Sequence, residues 1–193
     1  MDNYENLIRD TSNTCLIWKC SRGFAPDKAA DLLDEAQLNW SEELTCTLKI
    51  WVDKGVSMTD GELILARANL GSIVESWIRL FLSIYVEDYD NNPYLNNKGK
   101  KVPLKKMRFV DLQNYFCDVV YGSDKYKSWL ESVRKKRNAI HSFKDTDIGT
   151  PADFLDDIEQ LYSFVDTIVN RLPPIEDYVE HYPEGYEHVS FWE

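Results

Sequence analysis

The chain has 193 residues, 44% of them hydrophobic, 28% charged and 13% aromatic, with a formal net charge of −11. This balance excludes disordered and collagen-like chains, and it supplies enough apolar bulk for one domain to fold alone. The opening Met-Asp-Asn-Tyr-Glu-Asn carries acid where a secretory leader needs base, and the most apolar stretch, Leu70 to Val86, is interrupted by Glu75 and Arg79. Neither export nor membrane insertion is expected, and the expected location is the cytoplasm.

Residues 1–23 hold Leu7, Ile8, Leu16, Ile17 and Trp18, the pattern of a short amphipathic element or a packed arm. From Asp27 to about Lys54, the residues Leu33, Ala36, Trp40, Leu44, Leu48 and Trp51 recur every three or four positions, which predicts one helix ending at Gly55. Thr59 with Glu62 three residues later is a capping-box signature, and it opens the longest apolar run, to about Asp88. Leu65, Ile78, Leu82 and Val86 widen this run beyond one stripe, as expected of a central helix touched on several sides or of a subunit interface. Within it, Glu75 and Arg79 lie four apart. They form either an intrahelical ion pair or, for Glu75, a group facing a functional cleft.

Residues 89–107 contain two prolines, a glycine and four asparagines, and predict a long basic loop. Phe109, Leu112, Phe116, Val119 and Val120 mark a short helix stopping at Gly122, and Tyr126, Trp129, Leu130, Val133 and Ile140 mark another from Lys125 to about Phe143. Thr150, Pro151 and Asp153 punctuate the start of a last helix that runs to Pro173-Pro174. The class is therefore all-α: a single domain over residues 1–172, with 1–23 as an N-terminal arm, then an acidic, aromatic tail over 173–193 expected to pack on it.

Cys15, Cys20, Cys46 and Cys117 are scattered without a Cys-x-x-Cys pair, so free thiols are expected, with no metal site. Charge is segregated along the chain. Residues 98–144 hold thirteen Lys and Arg against four Asp and Glu, on a chain that is acidic overall. Either this gives one face a field suited to a polyanion, or two solvated basic stretches never meet.

Arg134-Lys135-Lys136-Arg137-Asn138-Ala139-Ile140-His141 is where a His sits among phosphate-binding groups. On a continuing α-helix, Arg134 and His141 lie about 20° short of two full turns apart and Arg137 and His141 about one turn apart. Asn138 falls near that face, and Trp129, Val133 and Ile140 point the other way into the core. Imidazole, guanidinium and amide presented together suit RNA cleavage without metal: a His exchanges protons with the 2′-hydroxyl or the departing 5′-oxygen, and an Arg stabilises the phosphorane. One His cannot easily be both base and acid, which favours a symmetric dimer. The plainer alternative is a helix-terminal His beside a solvated basic face.

The Arg-Asn-x-x-His run before a final helix, in an all-α chain with a long preceding helix, resembles the HEPN superfamily. Its motif is an Arg, commonly followed by Asn, Asp or His, with four to six residues before a His. Arg137 has the expected Asn138 but only three intervening residues; Arg134 has six but is followed by Lys135. The stretch from Leu65 to Tyr89, with its run Ala-Asn-Leu-Gly-Ser-Ile-Val-Glu-Ser-Trp, and the run Asp147-Ile-Gly-Thr-Pro are also similar to those of HEPN-like bacterial proteins. The resemblance implies a HEPN-like bundle of four to six helices, often dimeric, and membership of a group that includes metal-independent endoribonucleases of toxin–antitoxin and phage-defence systems. By it, His141 is the catalytic acid/base, Arg137 or Arg134 the catalytic Arg and Asn138 the polar residue after it. Lys135, Lys136, Lys105, Lys106 and Arg108 would guide RNA. It further implies a homodimer, an RNA or nucleotide ligand, a cognate antitoxin, and no cofactor. Its other branch is a catalytically inactive module binding nucleotide, RNA or a partner protein.

Overall fold

The computed structural model describes residues 2–141 and 145–174, and these form an all-α bundle. Eight α-helices follow in order: α1 Asp2–Lys19, α2 Asp27–Asp34, α3 Leu38–Lys54, α4 Asp60–Ile84, α5 Val86–Asn91, α6 Phe109–Tyr115, α7 Lys127–Arg137 and α8 Pro151–Val169. The N-terminal arm is thus a full helix, and the count exceeds the expected four to six because two predicted helices are each divided. The tail beyond Pro174, with His181 and His188, lies outside the described residues, as do residues 142–144.

α4 is the axis. Its first turn is fixed locally, with Thr59 Oγ1 accepting from Glu62 N and Glu62 Oε2 accepting from Thr59 N at 2.9 Å. Leu63, Leu70, Ile73, Val74, Trp77, Ile78, Phe81 and Leu82 are all buried, because α3, α7 and α8 pack around it and α2 and α6 add further contacts. α1 lies across α3 and α8, burying Leu7, Ile17 and Trp18. Among the described residues no helix is long and apolar enough to cross a membrane.

The helix expected over Asp27 to Lys54 is broken after Asp34. Gln37 takes the left-handed conformation at φ 45°, and α3 starts afresh at Leu38. Trp40, expected in the core, is 61% exposed, while Leu38 and Thr45 turn inward. The break gives α2 and α3 each a separate seat on α4, and no Gly or Pro in Asp34-Glu35-Ala36-Gln37 announces it. A Cβ-bearing residue in this conformation is strained. Gln37→Gly is expected to raise the unfolding free energy by about 0.5–1 kcal/mol after the entropy that Gly adds to the unfolded chain, read from the urea midpoint.

Two further predicted helices change pitch. α6 passes into a π-helical segment, Phe116–Tyr121, before the left-handed Gly122. The wider i→i+5 turn rotates Val119 outward to 47% exposure, against the expectation that it joins the core. The predicted basic loop is partly structured: α5 takes its start, a single antiparallel bridge joins Leu95 to Lys101, and Leu104–Lys106 form a 3-10 turn.

Candidate functional site

The long-range contacts of α7 define the site. Arg137 ends the helix, and its stem crosses α4 at Gly71. A Cβ added there would lie 2.5 Å from Arg137 Cγ and 2.6 Å from its Cβ, closer than atoms can approach. Four residues along the same face, Glu75 receives the head of the arginine, with Arg137 Nη2 at 3.2 Å from Oε2. The other oxygen of Glu75 accepts from Arg79 Nη2 at 2.8 Å. Of the two sequence alternatives for Glu75, the i,i+4 pair is formed, and the carboxylate also meets α7 through Arg137.

Arg79 extends the connection. It donates to the carbonyls of Leu104 at 2.8 Å and Met107 at 2.6 Å, which fastens the turn bearing Lys105 and Lys106 to the carboxylate that holds Arg137. Beyond Arg79 lies a cavity of about 320 Å³ between α2, α3 and α4, with Ser76 and Leu104 among its walls. Arg134 is held separately: its Nε donates at 2.9 Å to Oε1 of Gln113 on α6, itself a buried side chain. Both arginines keep part of their surface in solvent, and each is positioned by a shielded polar partner, which limits the rotamer freedom that ligand binding would otherwise remove.

The remaining cations divide. Lys136 turns away to Asp157 on α8, with Nζ 3.4 Å from Oδ2. That carboxylate also binds the fully buried Arg67 and accepts from Trp129 Nε1 at 2.9 Å. Lys135 pairs with Glu131 at 2.7 Å on the exposed side of α7 and holds that carboxyl below its ordinary value. Lys105 pairs with Glu35. Arg108 bonds Asp111 through Nε at 2.8 Å, and this contact is the main cause holding the Asp111 carboxyl below the usual range. Lys136 and Lys105 are therefore balanced by acids from outside the basic segment and Lys135 and Arg108 by acids within it, and the field on this face is weaker than the sequence count suggests.

His141 and Asn138 occupy different geometry from that expected. The α-helix stops at Arg137, and Asn138–His141 form a 3-10 turn. At 3.0 residues per turn, four such steps carry His141 roughly 120° from Arg137 and about 8 Å along the axis, so the two do not stack as on a continuing α-helix. Ala139 becomes the buried residue of the turn, while Ile140, expected inside, is 45% exposed. His141 and Asn138 are both exposed. The imidazole is thus exposed at the end of the 3-10 turn, with no hydrogen bond to either arginine among the described residues.

Gly71 and Gln113 were absent from the expected site. Gly71 had a signal: a glycine inside an otherwise strong helix costs about 1 kcal/mol relative to Ala, which marks a close approach. Gln113 had none. Gly71→Ala is expected to lower stability by about 1–3 kcal/mol through overpacking and to unseat Arg137, as read from denaturation midpoints and from the accessibility of Glu75 to carbodiimide labelling. Comparison of the chain with protein-family models, curated proteins and solved structures finds no match in any of the three.

Proposed function

We propose that the protein is a metal-independent endoribonuclease of the HEPN type, acting as a homodimer. The observation that carries this reading is the seating of Arg137. An α4 glycine makes room for its stem, a shielded carboxylate holds its head, and an exposed imidazole stands four residues on. His141 takes the proton of a ribose 2′-hydroxyl, O2′ attacks phosphorus, and the 5′-oxygen leaves with a proton from the His141 of a second copy. Arg137 and Arg134 stabilise the charge on the non-bridging oxygens, and the tethered turn with Lys105 and Lys106 extends the phosphate track. The products end in 2′,3′-cyclic phosphate and 5′-hydroxyl. Roles in toxin–antitoxin or phage-defence systems, with a cognate antitoxin, belong to the same proposal.

The test is cleavage of end-labelled single-stranded RNA in EDTA, with the product ends identified. No cleavage of several RNAs by the confirmed dimer would overturn the reading. One observation favours the second reading, a module that binds RNA, nucleotide or a protein without cutting: the 3-10 turn carries His141 off the Arg137 face. Under that reading RNA binding remains, weakens with salt and does not depend on His141.

A further inference from the structure

A second concave surface lies on the bundle away from the arginines. It is a groove of about 420 Å³ between the end of α4, α5 and the π-helical segment, walled by Phe81, Tyr89, Tyr115, Val119 and Val120. The hydroxyls of Tyr89 and Tyr115 are already donated, to the carbonyls of Val102 and of Asn92, so these residues have ring surface left to offer. Val119 is 47% exposed on the wall, and Asp88 stands among the lining residues. The groove therefore suits aromatic and aliphatic side chains whose own carboxylates stay outside it.

The described chain leaves α8 beside this groove. After α8 the backbone passes along this groove: Tyr85 Oη donates to the Arg171 carbonyl at 2.5 Å, and Arg171 Nη1 donates to the Val120 carbonyl at 3.4 Å. The Arg171 guanidinium also lies over the Tyr121 ring at 4.5 Å. Nineteen residues follow Pro174, and they read as alternating acids and large apolar groups, with Tyr178, Tyr182 and Tyr186 at every fourth position, then Phe191 and Trp192. Four extended residues span about 13 Å, enough to bring Tyr178 from the exit point into the groove. We propose that the aromatic groove between α4, α5 and the π-helical segment is the docking site of the chain's own segment 175–193. Tethering at its mouth makes this occupant far more concentrated there than any free partner.

The test uses the full chain with a photo-cross-linking residue, p-benzoylphenylalanine, at position 119, in an equal mixture of light and heavy isotope-labelled protein. The expected result is a cross-link from position 119 to a peptide within 175–193, in which both halves carry the same label. A mixed-label cross-link would show a second copy in the groove and overturn the proposal, as would the absence of any cross-link to that segment. Val119→Glu provides an independent check, since an exposed position tolerates the change in fold. It is expected to speed chymotrypsin cleavage after Tyr178 and Tyr186 roughly tenfold, equivalent to about 1.4 kcal/mol of docking. An unchanged cleavage rate would also overturn the proposal. Neither readout depends on RNA.

Discussion

Asp157→Ala is expected to lower the unfolding free energy by about 3–5 kcal/mol, the cost typical of removing one partner from a buried ion pair. Asp157 is 8% exposed and Arg67 1% exposed, so the guanidinium cannot turn to water when the carboxylate is lost. Arg67 would keep its bond to the Ile148 carbonyl at 3.1 Å and its position over the Phe154 ring. Its Nη2, already without a hydrogen-bond partner among the described residues, would be joined by an orphaned Nη1. Lys136 and Trp129 lose their acceptor as well. For a chain of this length the change corresponds to roughly 6–20 °C in melting temperature, measurable by calorimetry. The paired replacement Arg67→Met with Asp157→Leu removes both charges together and should recover more than half of the loss. A loss below about 1 kcal/mol for Asp157→Ala would mean that the pair is solvated and does not clamp α4 to α8.

If the protein is the endoribonuclease proposed above, His141→Ala is expected to reduce the RNA cleavage rate by about 10²–10⁴, the usual contribution of general acid–base catalysis, while melting temperature and RNA affinity stay near wild type. The fold should be indifferent because His141 is exposed at the end of its 3-10 turn, where Ala139 is the buried residue. Arg137→Ala is expected to differ in kind. On the proposed reading it removes a phosphate contact, so affinity falls and the slope of log affinity against log salt drops by about 1, while Glu75 keeps its pair with Arg79. Cleavage that survives His141→Ala unchanged would remove the imidazole from the chemistry whatever the arginines do.

The local part of this fold was legible because its signals need no distant partner. The N-termini of α4 and α8 follow from capping boxes that close within three residues, Thr59 with Glu62 and Thr150 with Asp153. At α8 the contacts from Thr150 also hold the Asp153 carboxyl below its ordinary value. The burial of α4 on several sides could likewise be read from apolar groups exceeding one stripe. Where prediction failed, the pitch of the chain changed without a Gly or Pro to mark it. The break at Gln37, the π-helical segment ahead of Gly122 and the 3-10 turn at Asn138 all answer to packing against other helices, and each rotated residues the sequence had placed inside: Trp40, Val119 and Ile140.

The amino-acid sequence alone determined the all-α class, the long central helix and its N-terminal cap, because periodicity and capping are properties of a few neighbouring residues. Tertiary structure decided which cations remain available. Arg137 meets a carboxylate 62 positions away, Arg134 an amide 21 positions away, and Arg67 a carboxylate 90 positions away. Charge and hydrogen bonding act through space, so those partners emerge only when the helices have packed.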